Sequence, residues 1–321
     1  MSRRSPESRT AGWPPPARCR GRTHAGGQGA ESPPHSRATV PEPVTVPITG
    51  TITTEGVTVV TWSATVDGGQ VAVLGEASPH GTLVVVPGVM SDAQDWSAFV
   101  QALPGRPSVV VNRRGRAPSS PQGERYSVEM EIADLHAVLD AIPGPKDLLG
   151  WSYGGLIAAE TATRREDVRS LVLYEPVSRP FAEHITSAVR DAAREADLDR
   201  LVEIVNIEIA GYDHDRVRSL RRSPVWAHLR LLAQALPAEH IALNAFTPHY
   251  ERYRALRIPV DILAGTLSAA TGAPYAEALD RFVSAMPQAH VTWMEGLSHL
   301  AHVEAPAALA AHLRAVHERV R

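Results

Sequence analysis

The stretch that decides the fold reads Gly150-Trp151-Ser152-Tyr153-Gly154-Gly155. An apolar pair precedes it and a helical pattern over 156–163 follows it, so a strand, a tight turn and a helix are predicted in succession. Glycines two residues either side of Ser152 let the strand and the helix pass closely, and the turn directs the serine hydroxyl outward. The pattern indicates a nucleophilic serine, although the same glycines also occur in purely structural turns.

Short apolar segments that alternate with helical patterns flank this stretch on both sides. An antiparallel hairpin comes first, because Asp67-Gly68-Gly69 is a typical turn between two strand patterns. Apolar residues with helical spacing, such as Ile132, Leu135 and Leu139, separate the later segments. The predicted strands cover residues 57–66, 70–75, 82–86, 108–111, 147–149, 169–174, 260–264 and 290–294. This alternation predicts an α/β fold, with a mostly parallel eight-stranded sheet and helices on both faces.

Residues 177–250 break this rhythm, because they carry helical patterns and no clear strand. We interpret them as a helical lid inserted over the carboxyl ends of the strands, where doubly wound sheets bind ligands. The core is then expected in two parts, residues 43–176 and residues 251–321. Residues 1–42 are rich in Arg, Pro, Ser and Gly, a composition typical of a disordered tail.

Composition and charge exclude several classes of partner. The formal net charge of -3 and the apolar fraction of 44% predict a soluble protein that binds neither nucleic acid nor a membrane. Cys19 is the single cysteine, which leaves no disulfide framework and no cysteine-ligated metal site. Without a membrane-spanning run or an export signal, we expect a cytoplasmic protein with a small-molecule substrate. The sequence does not indicate the oligomeric state.

At the serine motif the chain resembles the α/β-hydrolase superfamily, over about residues 57–320. The stretch Val86-Pro87-Gly88-Val89-Met90 resembles the family's His-Gly-x turn, with proline in place of the histidine. This resemblance implies that the backbone N–H groups of Val89 and Tyr153 form the oxyanion hole. The segment 112–116 resembles the family's Asp-x-Arg-Gly-x-Gly segment, which implies a role in shaping a loop.

The resemblance also implies a catalytic base late in the chain, after the last strand. His299 stands at that place, at the end of Glu295-Gly296-Leu297-Ser298-His299, and is the expected base for Ser152. His302 follows three residues later, but no further cluster of Asp, Glu or Cys accompanies the pair. We therefore expect no metal.

The acid of the triad departs from the common pattern. Most relatives have an Asp in a Gly-x-x-Asp turn, and here Gly265-Thr266-Leu267 is followed by Ser268, which cannot balance an imidazolium. Some members place the acid one strand earlier, where this chain reads Tyr174-Glu175-Pro176. Glu175 is therefore the candidate acid. A Ser152–His299 dyad without an acid, or another carboxylate such as Asp261, stays open.

These residues predict a serine hydrolase that cleaves a small-molecule ester, thioester or lactone through an acyl-serine intermediate, without a cofactor. Serine at position 152 argues against epoxide hydrolysis and dehalogenation, which in this fold normally call for a carboxylate nucleophile. An acyltransferase or cyclase that uses the same serine, and a non-catalytic ligand-binding protein, are the alternatives. Candidates for an apolar pocket lining, or for plain core, are Trp151, Tyr153, Trp226 and Phe246.

Overall fold

The computed structural model of the protein describes residues 48–54, 57–272 and 274–320. The predicted tail, residues 1–42, lies outside the described residues. Strands in the described part are β1 (Ile48–Thr54), β2 (Val57–Val66), β3 (Gly69–Gly75), β4 (Thr82–Val86), β5 (Ser108–Asn112), β6 (Lys146–Trp151), β7 (Val168–Tyr174), β8 (Val260–Gly265) and β9 (His290–Met294). They form one sheet in the order β1-β2-β3-β5-β4-β6-β7-β8-β9.

The sheet is antiparallel at one end and parallel over the rest. β1, β2 and β3 pair antiparallel in succession, and β3 pairs antiparallel with β5. From β5 onward all neighbouring strands are parallel. The predicted hairpin joins β2 to β3, with Val66 opposite Gly69. The predicted α/β fold is confirmed.

Over the residues that the structure describes, the sheet has nine strands instead of the predicted eight, because β1 adds an edge strand. Its sequence, ITGTITT, is mostly threonine and glycine, so it lacks the dense apolar pattern that marks the buried strands. β1 pairs antiparallel with β2, whose outer edge would otherwise present unpaired backbone groups.

Helices cover both faces of the sheet. They are α1 (Ser97–Gln101), α2 (Val128–Asp140), α3 (Tyr153–Ala162), α4 (Thr186–Arg194), α5 (Leu198–Ile204), α6 (His214–Arg221), α7 (Val225–Ala233), α8 (Leu236–Ala245), α9 (Tyr250–Arg254), α10 (Thr266–Ala270), α11 (Tyr275–Ala285), α12 (Ala301–Glu304) and α13 (Pro306–Val320). Apolar side chains of α2, α3 and α11 belong to one core cluster, and those of α1 and α13 belong to another.

The alternation of side chains along β4 shows how these two clusters arise. All five β4 residues are buried. Successive side chains of a strand point to opposite faces, so Leu83 and Val85 join one cluster while Val84 and Val86 join the other. A strand buried on both faces has a continuous apolar sequence, which is why this part of the sheet could be predicted.

The interval between β7 and β8 is helical. All residues from 177 to 250 are described, and none lies in a strand. The interval contains α4 to α8 and a π-helix, Val205–Ile209. Asp197 and Asp213 cap α5 and α6 by accepting hydrogen bonds from the backbone N–H groups of Arg200 and Arg216. Within the described residues, no helix combines the length and apolar character needed to cross a bilayer.

Candidate active site

Ser152 lies in the turn between β6 and α3, in a strained backbone conformation. Its φ of 55° and ψ of -123° fall outside the regions that L-residues usually adopt. The crossing of β6 and α3 is too tight for a side chain at Gly150, where a Cβ atom would lie 2.6 Å from the carbonyl oxygen of Gly154. A Cβ atom at Gly154 would lie 2.1 Å from the carbonyl oxygen of Val86, at the end of β4. The glycines of the motif therefore permit this turn sterically, as the sequence predicted.

Glu175 and His299 form a buried carboxylate–imidazole contact. Oε2 of Glu175 lies 2.6 Å from Nδ1 of His299, and the two residues are 6% and 9% exposed. The other carboxylate oxygen, Oε1, accepts a hydrogen bond of 2.7 Å from the backbone N–H of Gly265. When Nδ1 donates its proton to this carboxylate, Nε2 carries the imidazole lone pair and can accept a proton.

Aromatic side chains contact the segment that carries His299, through hydrogen bonds and ring packing. The indole N–H of Trp151 donates to the backbone carbonyl of His299 at 2.8 Å. The hydroxyl of Tyr174 donates to the carbonyl of Ser298 and accepts from the N–H of Ala301. Burial raises the pKa of the Tyr174 phenol well above its ordinary value, so this hydroxyl stays protonated as a donor. The Tyr275 ring packs 4.3 Å from the imidazole, between ring centroids.

The residues that carry the two predicted oxyanion donors lie close to Ser152. Tyr153 is the first residue of α3, and the first N–H groups of a helix have no acceptor within that helix. Val89 follows Gly88, where a Cβ atom would lie only 2.7 Å from Cβ of Ser152. The turn after β4 therefore packs directly against the serine.

Ser152, His299 and Val89 line a cavity of about 460 Å³. The insertion between β7 and β8 contributes much of its wall, which is mainly apolar: Val177, Phe181, Val205, Ile209, Ala210, Tyr212, Leu229, Leu236 and Leu243. The lining residues from the core include Met90, Trp151, Leu267, Ser268 and Tyr275. A groove of about 560 Å³, at Leu74–Ser78 and Arg106, contains none of the predicted site residues.

Only one of the four aromatic candidates for the pocket lining, Trp151, is among the described residues that line this cavity. Tyr153 is fully buried beneath the Arg113 guanidinium, with 5.1 Å between the guanidinium carbon and the ring centroid. Trp226 is buried as well, and its indole N–H donates to Asp199 at 2.8 Å. Phe246 belongs to the core cluster.

His302 is buried next to the site. Its ring stacks on Trp96 with centroids 4.4 Å apart, and burial lowers the pKa of His302 to about 3, so the ring is neutral. Neither His302 nor His299 belongs to the described group whose ligand atoms could surround a metal ion, which consists of Asp92, Asp95 and His228.

Three charged residues near the site received no chemical role from the sequence. Arg113 and Arg116, in the loop after β5, bind the carbonyl oxygens of Gly88 and Ser91, in and directly after the Val86–Met90 turn. Both arginines pair with Glu239 of α8. For the segment 112–116, the resemblance implies only a role in shaping the loop. A run of arginines after a buried strand was the available signal, but nothing in the sequence identified their partner Glu239, which is 123 positions from Arg116.

A family model for the alpha/beta hydrolase family matches residues 83–312, which is more than half of the chain. The chain therefore belongs to this family, and the predicted resemblance is confirmed. Among solved structures, an alpha/beta hydrolase from Sphaerobacter thermophilus DSM 20745 has a TM-score of 0.67 and 25% identity, covering 80% of this chain and 99% of that one.

Two further proteins are similar to this chain. The enol-lactonase from Burkholderia xenovorans LB400 has a TM-score of 0.63 at 17% identity, covering 80% of this chain and 99% of that one, and shares the fold. Polyketide synthase ThaQ of Burkholderia thailandensis is 28% identical over 249 residues, or 71% of this chain. The match spans only 12% of the length of that synthase.

Proposed function

We propose that the protein is a serine hydrolase that cleaves a small-molecule ester, thioester or lactone through an acyl-serine intermediate. The observation that carries the proposal is the 2.6 Å contact between Glu175 Oε2 and His299 Nδ1, made by a histidine that lines the same cavity as Ser152. A carboxylate bound to Nδ1 fixes the tautomer that leaves Nε2 as the base and stabilises the imidazolium during attack. This arrangement favours a triad over a Ser152–His299 dyad.

The reaction follows from these groups. Nε2 of His299 takes the proton of Ser152 Oγ, and the oxygen attacks the substrate carbonyl. The N–H groups of Val89 and Tyr153 donate to the oxyanion. As the tetrahedral intermediate collapses, the imidazolium gives its proton to the leaving oxygen or sulfur. Water then attacks the acyl-serine with His299 again as the base, and the carboxylic acid leaves.

The size and the lining of the cavity support the proposed substrate class. Its volume of about 460 Å³ suits a small molecule, and most of its lining is apolar. An apolar acyl group therefore fits beside Ser152 better than a charged one. The enol-lactonase and the polyketide synthase among the relatives add lactones and polyketide-type acyl groups to the chemistry worth testing.

A fluorophosphonate probe tests the nucleophile. We expect it to label the wild-type protein at Ser152 and to leave Ser152→Ala unlabelled, with melting temperatures that agree closely. Turnover of p-nitrophenyl esters, acyl-thioesters and lactones then ranks the substrate classes. A folded wild-type protein that the probe does not label, and that turns over none of the panel, would be the non-catalytic ligand-binding member of the fold.

An acyltransferase or cyclase is the second candidate function, and the limited solvent exposure of the site favours it. Ser152 and His299 are 7% and 9% exposed, and the helical insertion walls the cavity. Limited access of water gives an alcohol, amine or thiol more time to intercept the acyl-serine. Mass spectrometry of products formed with added glycerol, amine or thiol measures the partition. A product that is entirely the free acid at every acceptor concentration would favour hydrolysis.

A further inference from the structure

Two buried guanidinium groups donate hydrogen bonds to backbone carbonyl oxygens in and next to the turn that carries Val89. Arg113 donates from Nε to the carbonyl of Pro87 at 2.8 Å and from Nη2 to the carbonyl of Gly88 at 2.7 Å. Arg116 donates from Nε to the carbonyl of Ser91 at 2.9 Å and approaches the Gly88 oxygen at 3.4 Å. Both arginines are at least 97% buried. Their charges are therefore directed at the backbone of this turn.

The counterion of both arginines comes from the helical insertion. Oε1 of Glu239, on α8, lies 2.7 Å from Nη2 of Arg113 and 2.5 Å from Nη1 of Arg116. Oε2 of Glu239 accepts from Nη2 of Arg116 at 3.0 Å, so the pair with Arg116 is bidentate. Glu239 is fully buried, and Glu131 of α2 supplies the second carboxylate at 2.7 Å from Arg113.

The cluster is electrically balanced, with two guanidinium groups and two carboxylates. Burial acts to lower the pKa of Arg113, but Glu131 and Glu239 outweigh burial and raise the pKa of Arg113 well above its ordinary value. If α8 moved away, the cluster would keep two positive charges and a single negative one. A buried charge without its partner is unfavourable, so the loop and the turn would rearrange or admit water.

The geometry of the peptide bond connects this cluster to the reaction centre. The Gly88–Val89 peptide is not among the cis bonds and is therefore a planar trans unit, in which C=O and N–H point in opposite directions. Fixing the Gly88 carbonyl toward the guanidinium groups consequently fixes the Val89 N–H on the other side. A cation on the carbonyl also polarises the peptide and strengthens its N–H as a donor.

We propose that Glu239 is a positioning residue, which orients the oxyanion donor at Val89 through Arg113 and Arg116 and makes that orientation depend on the seating of α8. The inference rests on the proposed function, because it assigns Val89 N–H to the oxyanion hole. It also gives the insertion a role besides covering the cavity. With α8 in place, the Val89 N–H is aligned with the oxyanion. With α8 displaced, the two arginines that bind the Gly88 carbonyl lose the Glu239 carboxylate as their counterion.

Glu239→Gln tests this directly, because it keeps the shape of the side chain and removes its charge. The matched control is Asp134→Asn, which removes the carboxylate from a second buried arginine pair, Arg114–Asp134, in the same loop. Arg114 makes no contact with the Val86–Met90 turn among the described hydrogen bonds, and its second bond to Asp134 is 2.9 Å. The measurements are kcat, KM, melting temperature and the affinity for a trifluoromethyl ketone, whose adduct carries an oxyanion.

We expect Glu239→Gln to lower kcat about 10- to 100-fold, since loss of a whole oxyanion donor costs about 10² to 10³. Affinity for the trifluoromethyl ketone should fall in parallel while KM changes little, the pattern of a lost transition-state interaction. Asp134→Asn should lower the melting temperature and leave kcat and ketone affinity unchanged. Equal effects of the two variants on kcat and ketone affinity would overturn the inference.

Glu239→Asp and Arg116→Lys keep the test informative if Glu239→Gln fails to fold. The first shortens the carboxylate side chain, and the second keeps the charge but loses the bidentate fork. Each should reduce kcat and ketone affinity together, with Glu239→Asp nearer to wild type. Wild-type kinetics in both folded variants would reject the positioning role. A wild-type protein that the fluorophosphonate probe does not label would instead reject the proposed function, and the inference with it.

Discussion

Oε2 of Glu175 lies 2.6 Å from Nδ1 of His299, although 124 positions separate these residues in the chain. Glu175 follows β7, and His299 follows β9, with β8 between the two strands. The N–H of Gly265, at the end of β8, binds the other oxygen of the same carboxylate at 2.7 Å. One carboxylate thus reaches across the carboxyl end of the intervening strand to the histidine.

Glu175→Gln is expected to lower kcat by roughly 10² to 10⁴, because the amide keeps the shape but no longer selects the required tautomer of His299. The melting temperature should change much less than kcat, since Gln can still accept the Gly265 N–H. Steady-state kinetics on the best ester or thioester of the panel, with thermal unfolding in parallel, measures both.

Asp261→Asn is the control for this substitution. Asp261 was the rival carboxylate, but it lies within β8, pairs with Arg319 and approaches His290 at 3.5 Å. Its removal should weaken that pair and leave kcat near wild type. Unchanged kcat in Glu175→Gln would leave Ser152 and His299 as a dyad.

The parts of this fold that could be predicted from the sequence are those with a clear local pattern of apolar and glycine residues. The buried strands around Ser152 contain short apolar runs, such as residues 83–86 and 148–149, so their positions and the order strand, turn, helix could be predicted directly. The convergence of positions 152, 175 and 299 at one edge of the sheet follows from the parallel topology. β1 was not foreseen, because a threonine-rich edge strand depends on the open edge of β2 more than on its own sequence.

The contacts of the helical insertion could not be predicted for a different reason. Amphipathic patterns locate helices such as α8, but they do not determine which core residues those helices meet. The pairing of Glu239 with Arg116 joins residues 123 positions apart and exists only once α8 packs over the loop after β5. The same limit applies to the cavity wall, which contains Tyr212 and Phe181 but neither Trp226 nor Phe246, the two insertion residues that were candidates for the lining or for plain core.

Gly265→Ala should impair the reaction through the acid. A Cβ atom there would lie 2.3 Å from the carbonyl oxygen of Leu297 and 3.0 Å from Oε1 of Glu175. Both the acid and the segment that leads to His299 must therefore shift. We expect a loss of about 1 to 3 kcal/mol in unfolding free energy, as for overpacked sites, and a fall in kcat of at least 10-fold.

Gly105→Ala is the control that separates the loss of stability from the fall in kcat. It introduces strain at a φ of 74° but finds no atom within 4 Å, and it lies in the groove away from Ser152. It should lower the melting temperature without changing kcat. If Gly265→Ala matched Gly105→Ala in kcat, the close approach at Gly265 would have no influence on the acid.

His228 should make the packing of α7 depend on pH. Nε2 of His228 lies 3.2 Å from Asp95 and 3.8 Å from Asp92. The hydrogen bond to Asp95 raises the pKa of His228 above its ordinary value of 6.5, outweighing burial. Because the folded pKa is the higher one, this stabilisation is complete below about pH 6.5 and is lost as pH rises through the folded pKa.

The melting-temperature difference between wild type and His228→Gln measures this contribution. It should be largest near pH 6 and vanish at alkaline pH, and Asp95→Asn should remove most of its pH dependence. A difference that stays constant from pH 6 to pH 9 would show that protonation of His228 does not stabilise the protein.

Ser268 occupies the position where most relatives have the acid, and the structure places it suitably for a rescue experiment. It is the third residue of α10, directly after β8, and is 6% exposed. Its side chain lines the cavity shared with His299 and also a small space beside Glu175 and Tyr275. Among the described residues, its hydroxyl has no hydrogen-bond partner.

Ser268→Asp in the Glu175→Gln background should therefore recover part of kcat, about 10-fold or more over Glu175→Gln alone, because a carboxylate again stands near the imidazole. Ser268→Asn is the matched control in the same background, since it has the same size without the charge and should recover nothing. In the wild-type background, Ser268→Asp places two carboxylates close together, so one of them should titrate at a higher pH and add a step to the pH profile of kcat/KM. Equal kcat for the Asp and Asn variants in the Glu175→Gln background, with both folded, would mean that position 268 does not reach His299 and that β7 alone can supply the acid in this chain.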